Sequence, residues 1–152
     1  MEAVILQIIS SFTGSFGFAA LYNLHGKKLW TAGLGGLISW AVYLAVQVMI
    51  KNNFLINMFA AMAATIYAEM MARTLKTPAT IFLISSIIPL VPGGNLYYTM
   101  NYAIAKDWKL FYLYGQKTII AATAIAGGIM MASSSYRLYQ EILHDNQKKC
   151  IR

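Results

Sequence analysis

Two prolines and two glycines interrupt an otherwise apolar stretch of the chain, in the run IPLVPGGNLYYTM at 88–100. Pro89 and Pro92 each remove a backbone amide hydrogen and clash with the preceding turn, and Gly93 and Gly94 weaken the preference for helix. The run therefore predicts a helix, a break and a second helix. A half-helix that begins at a break has free amides and the positive end of its dipole, so the amides of the two glycines are expected to hold a carboxylate.

Polar side chains follow this break at once, and their types suit a carboxylate that carries a polar substituent. Asn95 is expected to cap the second half-helix, and Tyr98 shares a helix face with Asn101 and Tyr102. An ordinary turn at the membrane interface, with its tyrosines in the aromatic belt, fits the same pattern, and both interpretations stay open. The predicted binding site comprises Pro89, Pro92, Gly93, Gly94, Asn95, Tyr98 and Asn101.

The composition excludes a soluble globular domain, a disordered chain and a coiled coil. Of the 152 residues, 59% are hydrophobic and 11% are charged, and the mean hydropathy is +0.56. An ordinary soluble domain has about 25% charged residues, because a surface that faces water needs many ionic side chains. The sequence therefore predicts a membrane protein in contact with the lipid bilayer.

Five apolar windows approach the length of about 20 residues that a helix needs to cross the hydrocarbon of a membrane. The polar joints between them are so short that neighbouring helices must run antiparallel. The sequence predicts an all-α membrane protein with about five transmembrane helices, of which the fourth is broken at a Pro-x-x-Pro-Gly-Gly motif and either crosses or re-enters. Residues 1–136 are expected to form this domain, and 137–152 a polar, basic cytoplasmic tail. The windows are 3–22, 29–50, 54–72, 79–91 and 111–136.

Basic residues outnumber acidic ones, and the formal net charge is +7. They lie between apolar runs and near the C-terminus, where charges set membrane topology, so no nucleic-acid partner is expected. If the N-terminus lies outside, eight Lys and Arg fall on the inner side and four on the outer side, which favours an inside C-terminus. With one cysteine, no metal-ligand cluster and no nucleophile–base pair, neither a cofactor or metal nor an enzymatic activity is expected.

Three charged side chains in or near the apolar windows are candidates for function. Glu69 is the one acidic residue inside a predicted span, where an ionisable group is costly. Arg73 follows four residues later on the same helix face, so the two either form a structural ion pair or take part in proton coupling. Lys117 lies about two turns into the fifth window and is expected to snorkel to the outer interface, with attraction of an anionic substrate as the alternative.

Small residues recur at spacings that let helices approach closely. Because lipid supplies little hydrophobic drive between helices, such residues indicate faces where backbones gain dispersion contacts. These faces are expected to meet other helices, in this chain or in another chain. The residues are Gly14 with Gly17, Gly33 with Gly35 and Gly36, Ala60 with Ala64, and Ala124 with Gly128.

The stretch 65–100 resembles the core of the threonine/serine exporter (ThrE-type) family. It is similar to the C-terminal, five-helix half, which in many bacteria is a separate small subunit. The Pro-Leu-Val-Pro-Gly motif at 89–93 lies about ten residues after Pro78, and the basic residue Arg73 precedes that proline. The resemblance spans about residues 1–135 and does not cover the polar tail.

The resemblance implies a membrane subunit of a secondary exporter of small carboxylates, chiefly threonine and serine. It implies a larger partner subunit with a cytoplasmic region and a second set of helices, coupling to protons, and a multi-pass location in the bacterial inner (plasma) membrane. The chain has no Walker motif, which agrees with a secondary transporter. The alternatives are an exporter of a dicarboxylate such as succinate, and a structural or interaction subunit.

Overall fold

The computed structural model describes residues 2–150 and the side chains of 2–142, and within this range the chain forms α-helices and no strand. A short 3-10 turn, Ile88–Leu90, continues the fourth helix. The helices are α1 (Glu2–Leu21), α2 (Lys27–Met49), α3 (Asn53–Thr74), α4 (Ala79–Ile87), α5 (Gly93–Ile104) and α6 (Trp108–Cys150).

Four of these helices are long and apolar enough to cross a membrane: α1, α2, α3 and, in α6, the part Trp108–Ile142. The fourth segment passes the same test only as a bent pair, in which Ala79–Leu90 and Gly93–Ile104 meet at 61°. By length and composition, the described chain therefore has four candidate membrane spans, or five if the bent pair is one span. This confirms the prediction of an all-α membrane protein whose fourth segment is broken.

The last helix is longer than the membrane is thick. At 43 residues, α6 is about 65 Å long, twice the thickness of about 30 Å of the hydrocarbon, so one end extends beyond it. The predicted boundary between 136 and 137 falls inside this helix, and its backbone continues to Cys150. A separate cytoplasmic tail at 137–152 stays a prediction, of which 151–152 and the side chains from 143 lie outside the described residues.

Small side chains fill the contact between α1 and α2. The buried residues of α1 are Ser11, Ser15 and Ala19, one helical turn apart, and they face the glycines of α2. A Cβ atom on Gly36 would overlap the side chain of Ser15 and lie 3.0 Å from the carbonyl oxygen of Ser11. The two backbones are therefore in contact where the sequence predicts a close approach.

The contact between α3 and α6 is built in the same way. Ala60, Ala61 and Ala64 are fully buried on α3, Ala124 is fully buried on α6, and Gly128 of α6 lies against Ala61. A Cβ on Gly128 would lie 2.5 Å from a backbone carbonyl oxygen of α3. Three of the four predicted small-residue faces thus lie inside the bundle.

The fourth predicted face stays open. A Cβ on Gly14 or on Gly17 would meet nothing within 4 Å among the described residues. Their place on α1 therefore gives no support to helix packing inside this chain, and packing against another chain remains a prediction.

We expect Gly36→Ala to destabilise the bundle by about 1–3 kcal/mol, because overpacking forces α1 and α2 apart. Gly127→Ala is the matched control, since a Cβ there meets nothing within 4 Å and alanine is the better helix former. Thermal unfolding of the purified protein in detergent measures both. An equal melting temperature for the two variants would show that the α1–α2 contact is not tight.

Candidate functional site

The break between α4 and α5 is short and is dominated by its prolines. The 3-10 turn ends at Leu90, and Pro92, at φ −75°, is the residue immediately before α5. Since Gly93 already has helical backbone, the expected cap at Asn95 is wrong: Asn95 is the third residue of α5, and Pro92 gives the helix no side-chain cap. The fixed φ of proline suits a helix start, which places the beginning of α5 two residues before Asn95.

Two amides at the start of α5 remain without an acceptor in the described chain. The Gly93 amide donates to the carbonyl of Val91 at 2.7 Å, and the Leu96 amide donates to that of Pro92 at 3.0 Å. The amides of Gly94 and Asn95 lie between them in the first turn, where an α-helix offers no internal partner. The sequence predicts that the amides of Gly93 and Gly94 hold a carboxylate. The Gly94 amide is free to do so, whereas the Gly93 amide already donates to Val91.

A cavity of about 200 Å³ lies against the break, between α2, α3, α5 and α6, and we name it the break cavity. Its apolar wall consists of Pro89, Leu90, Val91, Pro92, Ile120 and Ala121. The polar or aromatic residues in its wall are Trp40, Tyr43, Asn53, Asn57, Asn95 and Lys117.

The break cavity begins part-way along the bundle. The segment Ala79–Leu90 is about 18 Å long, so a span that begins at Ala79 breaks before it has crossed a hydrocarbon layer of about 30 Å. From there the cavity extends towards the end of the bundle where α3 begins, because Asn53 and Asn57 belong to the first turns of that helix. Irregular backbone at this depth is tolerated where it lines a polar cavity, which is its position here.

Lys117 brings a positive charge to this cavity. It lies nine residues into α6, about 14 Å from the helix start, and its ammonium nitrogen is 5.2 Å from the ring centroid of Tyr114. That ring is one turn nearer the start of α6, the direction that snorkelling predicts, and the contact is within the range of a cation–π interaction. Attraction of an anionic substrate is the alternative role predicted for Lys117, whereas the asparagines of α3 that share the wall were not predicted as site residues.

The two asparagines of α3 form one unit. The side-chain amide of Asn57 donates to the backbone carbonyl of Asn53 at 2.7 Å, and Asn57 is only 7% exposed. This bond uses one N–H of the side chain, so the second N–H and the amide oxygen are the groups that a ligand can meet. The i, i+4 spacing of two asparagines at the start of an apolar helix is the sequence signal that could have found them.

Trp40 has a buried donor that is not used. Its indole N–H is buried and meets no acceptor among the described residues, although Trp40 lies in the wall of the break cavity. An unpaired buried donor costs about 1–3 kcal/mol, and most native proteins avoid it. The ring stacks on Tyr43, with centroids 4.8 Å apart and planes at 9°.

Three of the predicted substrate residues lie in the cavity wall, and the others do not. Pro89, Pro92 and Asn95 line it, whereas Gly93 and Gly94 are exposed at the start of α5. The roles of all the predicted site residues stay predictions.

Tyr98 and Asn101 lie elsewhere on α5, and both are exposed. The ring of Tyr98 packs on Tyr114 of α6 at 5.2 Å and on Tyr102 at 6.3 Å. Tyr114 also lies under the Lys117 ammonium. Tyr98 therefore does not line the cavity itself, and it is linked to Lys117 only through the ring of Tyr114.

The predicted proton-coupling pair lies at the other end of α3. Glu69 is half-buried, and the guanidinium carbon of Arg73 lies 4.7 Å from the ring centroid of Tyr136 on α6. Glu69 follows Asn57 by twelve residues, about 18 Å along the helix. The structure therefore does not bring this pair to the break cavity, and the pair's role stays a prediction.

A comparison with protein families decides the class of this protein. The model of the family described as "Threonine/Serine exporter, ThrE" matches residues 7–135, which include the break and every residue of the cavity wall. The chain belongs to the threonine/serine exporter family. It is thus a membrane transport protein of the exporter type, from a family of transporters rather than of enzymes. No curated protein and no solved structure matches this exporter-family chain.

The tyrosine contacts give a testable prediction about α5, which buries no residue of its own. We expect Tyr98→Ala to loosen α5 from α6, because an aromatic pair contributes about 0.5–1.5 kcal/mol beyond its buried area. Hydrogen exchange of the amides at 93–104, followed by mass spectrometry in detergent, should become faster. Met100→Ala, at a residue 63% exposed, is the control and should leave the exchange unchanged. Equal exchange in both variants would refute this role.

Proposed function

We propose that the chain is the membrane subunit of a secondary exporter of small carboxylates, chiefly threonine and serine, and that the break cavity holds the substrate. One observation carries the proposal. A polar cavity at membrane depth combines the start of a half-helix with a lysine, Lys117, in a chain of the threonine/serine exporter family. Both features attract an anion, and neither is needed to fold an apolar bundle.

The chemistry of the wall suits a carboxylate with a polar substituent. The free amide of Asn95 and the ammonium of Lys117 are donors for the carboxylate, the free amide of Gly94 lies next to the wall in the same turn, and the helix start adds a partial positive charge. Asn57 offers a donor and an acceptor to a hydroxyl or an amine. A volume of about 200 Å³ is below the range of about 300–1,000 Å³ that is usual for drug-sized ligands, which fits a small solute.

The proposal includes a larger partner subunit that contributes a cytoplasmic region and a second helix set. Support for it comes from α5, which packs against α6 and buries no residue in this chain. We place the complex in the bacterial inner membrane with the N-terminus outside, as the distribution of basic residues favours. We assign proton coupling to Glu69, with Arg73 as its neighbour, because an ionisable group within a span is a functional candidate.

A dicarboxylate such as succinate is the second candidate substrate. No acidic residue occurs among the described residues of the cavity wall, so an amino-acid ammonium would find only neutral acceptors there. A dicarboxylate would place one carboxylate near Lys117 and the other near the asparagines of α3. The charge of the wall supports this candidate, and the family supports threonine and serine.

We expect Lys117→Gln to reduce export about tenfold or more, because one lost charge-assisted hydrogen bond is worth about 1.5–3 kcal/mol. Proteoliposomes containing the complex with the larger subunit, loaded with radiolabelled threonine, serine or succinate, measure the rate for each solute. Lys117→Arg should retain part of the rate. The control is Lys109→Gln, which removes one positive charge from the same helix outside the cavity and should export normally.

Unchanged export by Lys117→Gln would overturn the assignment of the site. If export of all three solutes is absent although the complex assembles, the chain is a structural or interaction subunit instead. A preference for succinate over threonine and serine would select the second candidate.

Gly94→Leu should abolish export while the complex still assembles. A Cβ on Gly94 meets nothing within 4 Å, so the fold accepts the side chain. Because Cβ atoms tilt towards the start of a helix, the leucine would cover the free amides of the first turn. Gly127→Leu, at an equally open glycine of α6, is the control for added bulk. The same proteoliposome assay measures both, and normal export by Gly94→Leu would remove the amides from the site.

A further inference from the structure

A second cavity, of about 300 Å³, shares a wall with the break cavity. Trp40 and Pro89 line both, and the rest of the second wall comes from α1. We name it the α1 cavity. Its other residues are Leu6, Gln7, Ser10 and Ser11.

The polar groups of the α1 cavity resemble those that a small polar solute needs. Ser10 supplies a hydroxyl, and Gln7 supplies an amide donor and an acceptor. With Trp40 they add polar groups to an open and mostly apolar wall, in which Gln7 and Ser10 are exposed. The two cavities together extend across the break, from the α3 side to the α1 side of the bundle.

Trp40 lies in the walls of both cavities, and its buried N–H has no acceptor among the described residues. Buried donors are nearly always paired, so an unpaired one calls for a second position in which a partner is present. Acceptors are available on both sides: the Ser10 hydroxyl and the Gln7 amide on one, and the Asn95 amide on the other. A carboxylate in the break cavity would be a stronger acceptor than any of these.

The backbone around Trp40 is fixed, which confines movement to the side chain. The preceding residue, Ser39, is fully buried, and its hydroxyl donates to the carbonyl of Ser86 on α4 at 2.7 Å. Gly36, one turn earlier, lies against α1 with no room for a Cβ. The indole stacks in parallel on Tyr43 and packs with it against a buried apolar cluster that includes Leu90, so a turn of the ring would break these contacts, and a new hydrogen bond of the N–H would offset part of that cost.

We propose that the α1 cavity is a further compartment of the substrate path, for the same small carboxylates, and that the Trp40 indole is a movable partition between the two compartments. The indole N–H donates to the carboxylate as the side chain turns, and this pairing favours the open position. The inference rests on the proposed function, because it needs a carboxylate in the break cavity.

The chain has three tryptophans, so the variant W30F/W108F leaves Trp40 as the only indole of this subunit. In the complex, with the tryptophans of the larger subunit also replaced by Phe, titration with threonine, serine or succinate should give a saturable shift of the Trp40 emission and altered quenching by acrylamide. The matched control W30F/W40F retains Trp108, which is 60% exposed and outside both cavity walls, and should show no response. A silent Trp40 in a complex that transports would overturn the partition.

Trp40→Phe keeps an aromatic ring and removes the N–H. We expect about a tenfold lower maximal export rate with an unchanged half-saturation concentration, since the N–H reaches the carboxylate only as the indole turns and not while the solute rests in the break cavity. An unchanged maximal rate would overturn the role of the N–H. If the complex without substitutions exports none of the three solutes, the proposed function fails and this inference fails with it, whereas export with a silent Trp40 refutes this inference alone.

Discussion

A peptide group inside the hydrocarbon of a membrane must be hydrogen bonded, because each unpaired group costs several kcal/mol. The break in this chain is arranged around that constraint. Ser39 of α2 donates to the carbonyl of Ser86 near the end of α4, where the helix no longer supplies donors, and Val91 donates back to Ile88. What remains is a pair of amides at the start of α5, beside a cavity with a lysine in its wall. The free-energy cost of the break thus lies mainly in these two unpaired amides, and an anion that accepts their hydrogen bonds would remove it.

Close packing elsewhere makes this arrangement possible. A Cβ on Gly35 of α2 would overlap the Ser86 hydroxyl, and one on Gly36 would overlap Ser15 of α1. Since α2 can lie this close to both helices, Ser39 reaches the backbone of α4. Alanines and Gly128 likewise bring α6, and with it Lys117, against α3. The small residues therefore act on the candidate site by fixing the distances between the helices that form it.

The architecture could be predicted because its signals are local. Apolar windows and the prolines at 89 and 92 act within their own segment. The first three observed helices begin and end within a few residues of the predicted windows, whereas α6 continues fourteen residues beyond the predicted end at 136. The expected cap at Asn95 was wrong because Pro92 fixes the backbone earlier. The cavity could not be predicted in the same way, since Lys117 and the asparagines of α3 are far apart in sequence. Only the packing of four helices brings them into one wall.

The distance between the break and Glu69 limits how protons could be coupled to transport. Direct proton transfer needs groups in hydrogen-bonding contact or joined by a water, whereas Glu69 lies about 18 Å along α3 from Asn57. Direct transfer between them is therefore excluded, and coupling needs either a chain of several waters or a movement of the helices. The part of α3 between them carries buried alanines, and α3 packs against α6, which carries Lys117 near one end and Tyr136 near the other. By the second route, a change of charge at Glu69 would shift α3 against α6, because closely packed helices transmit displacement along their length.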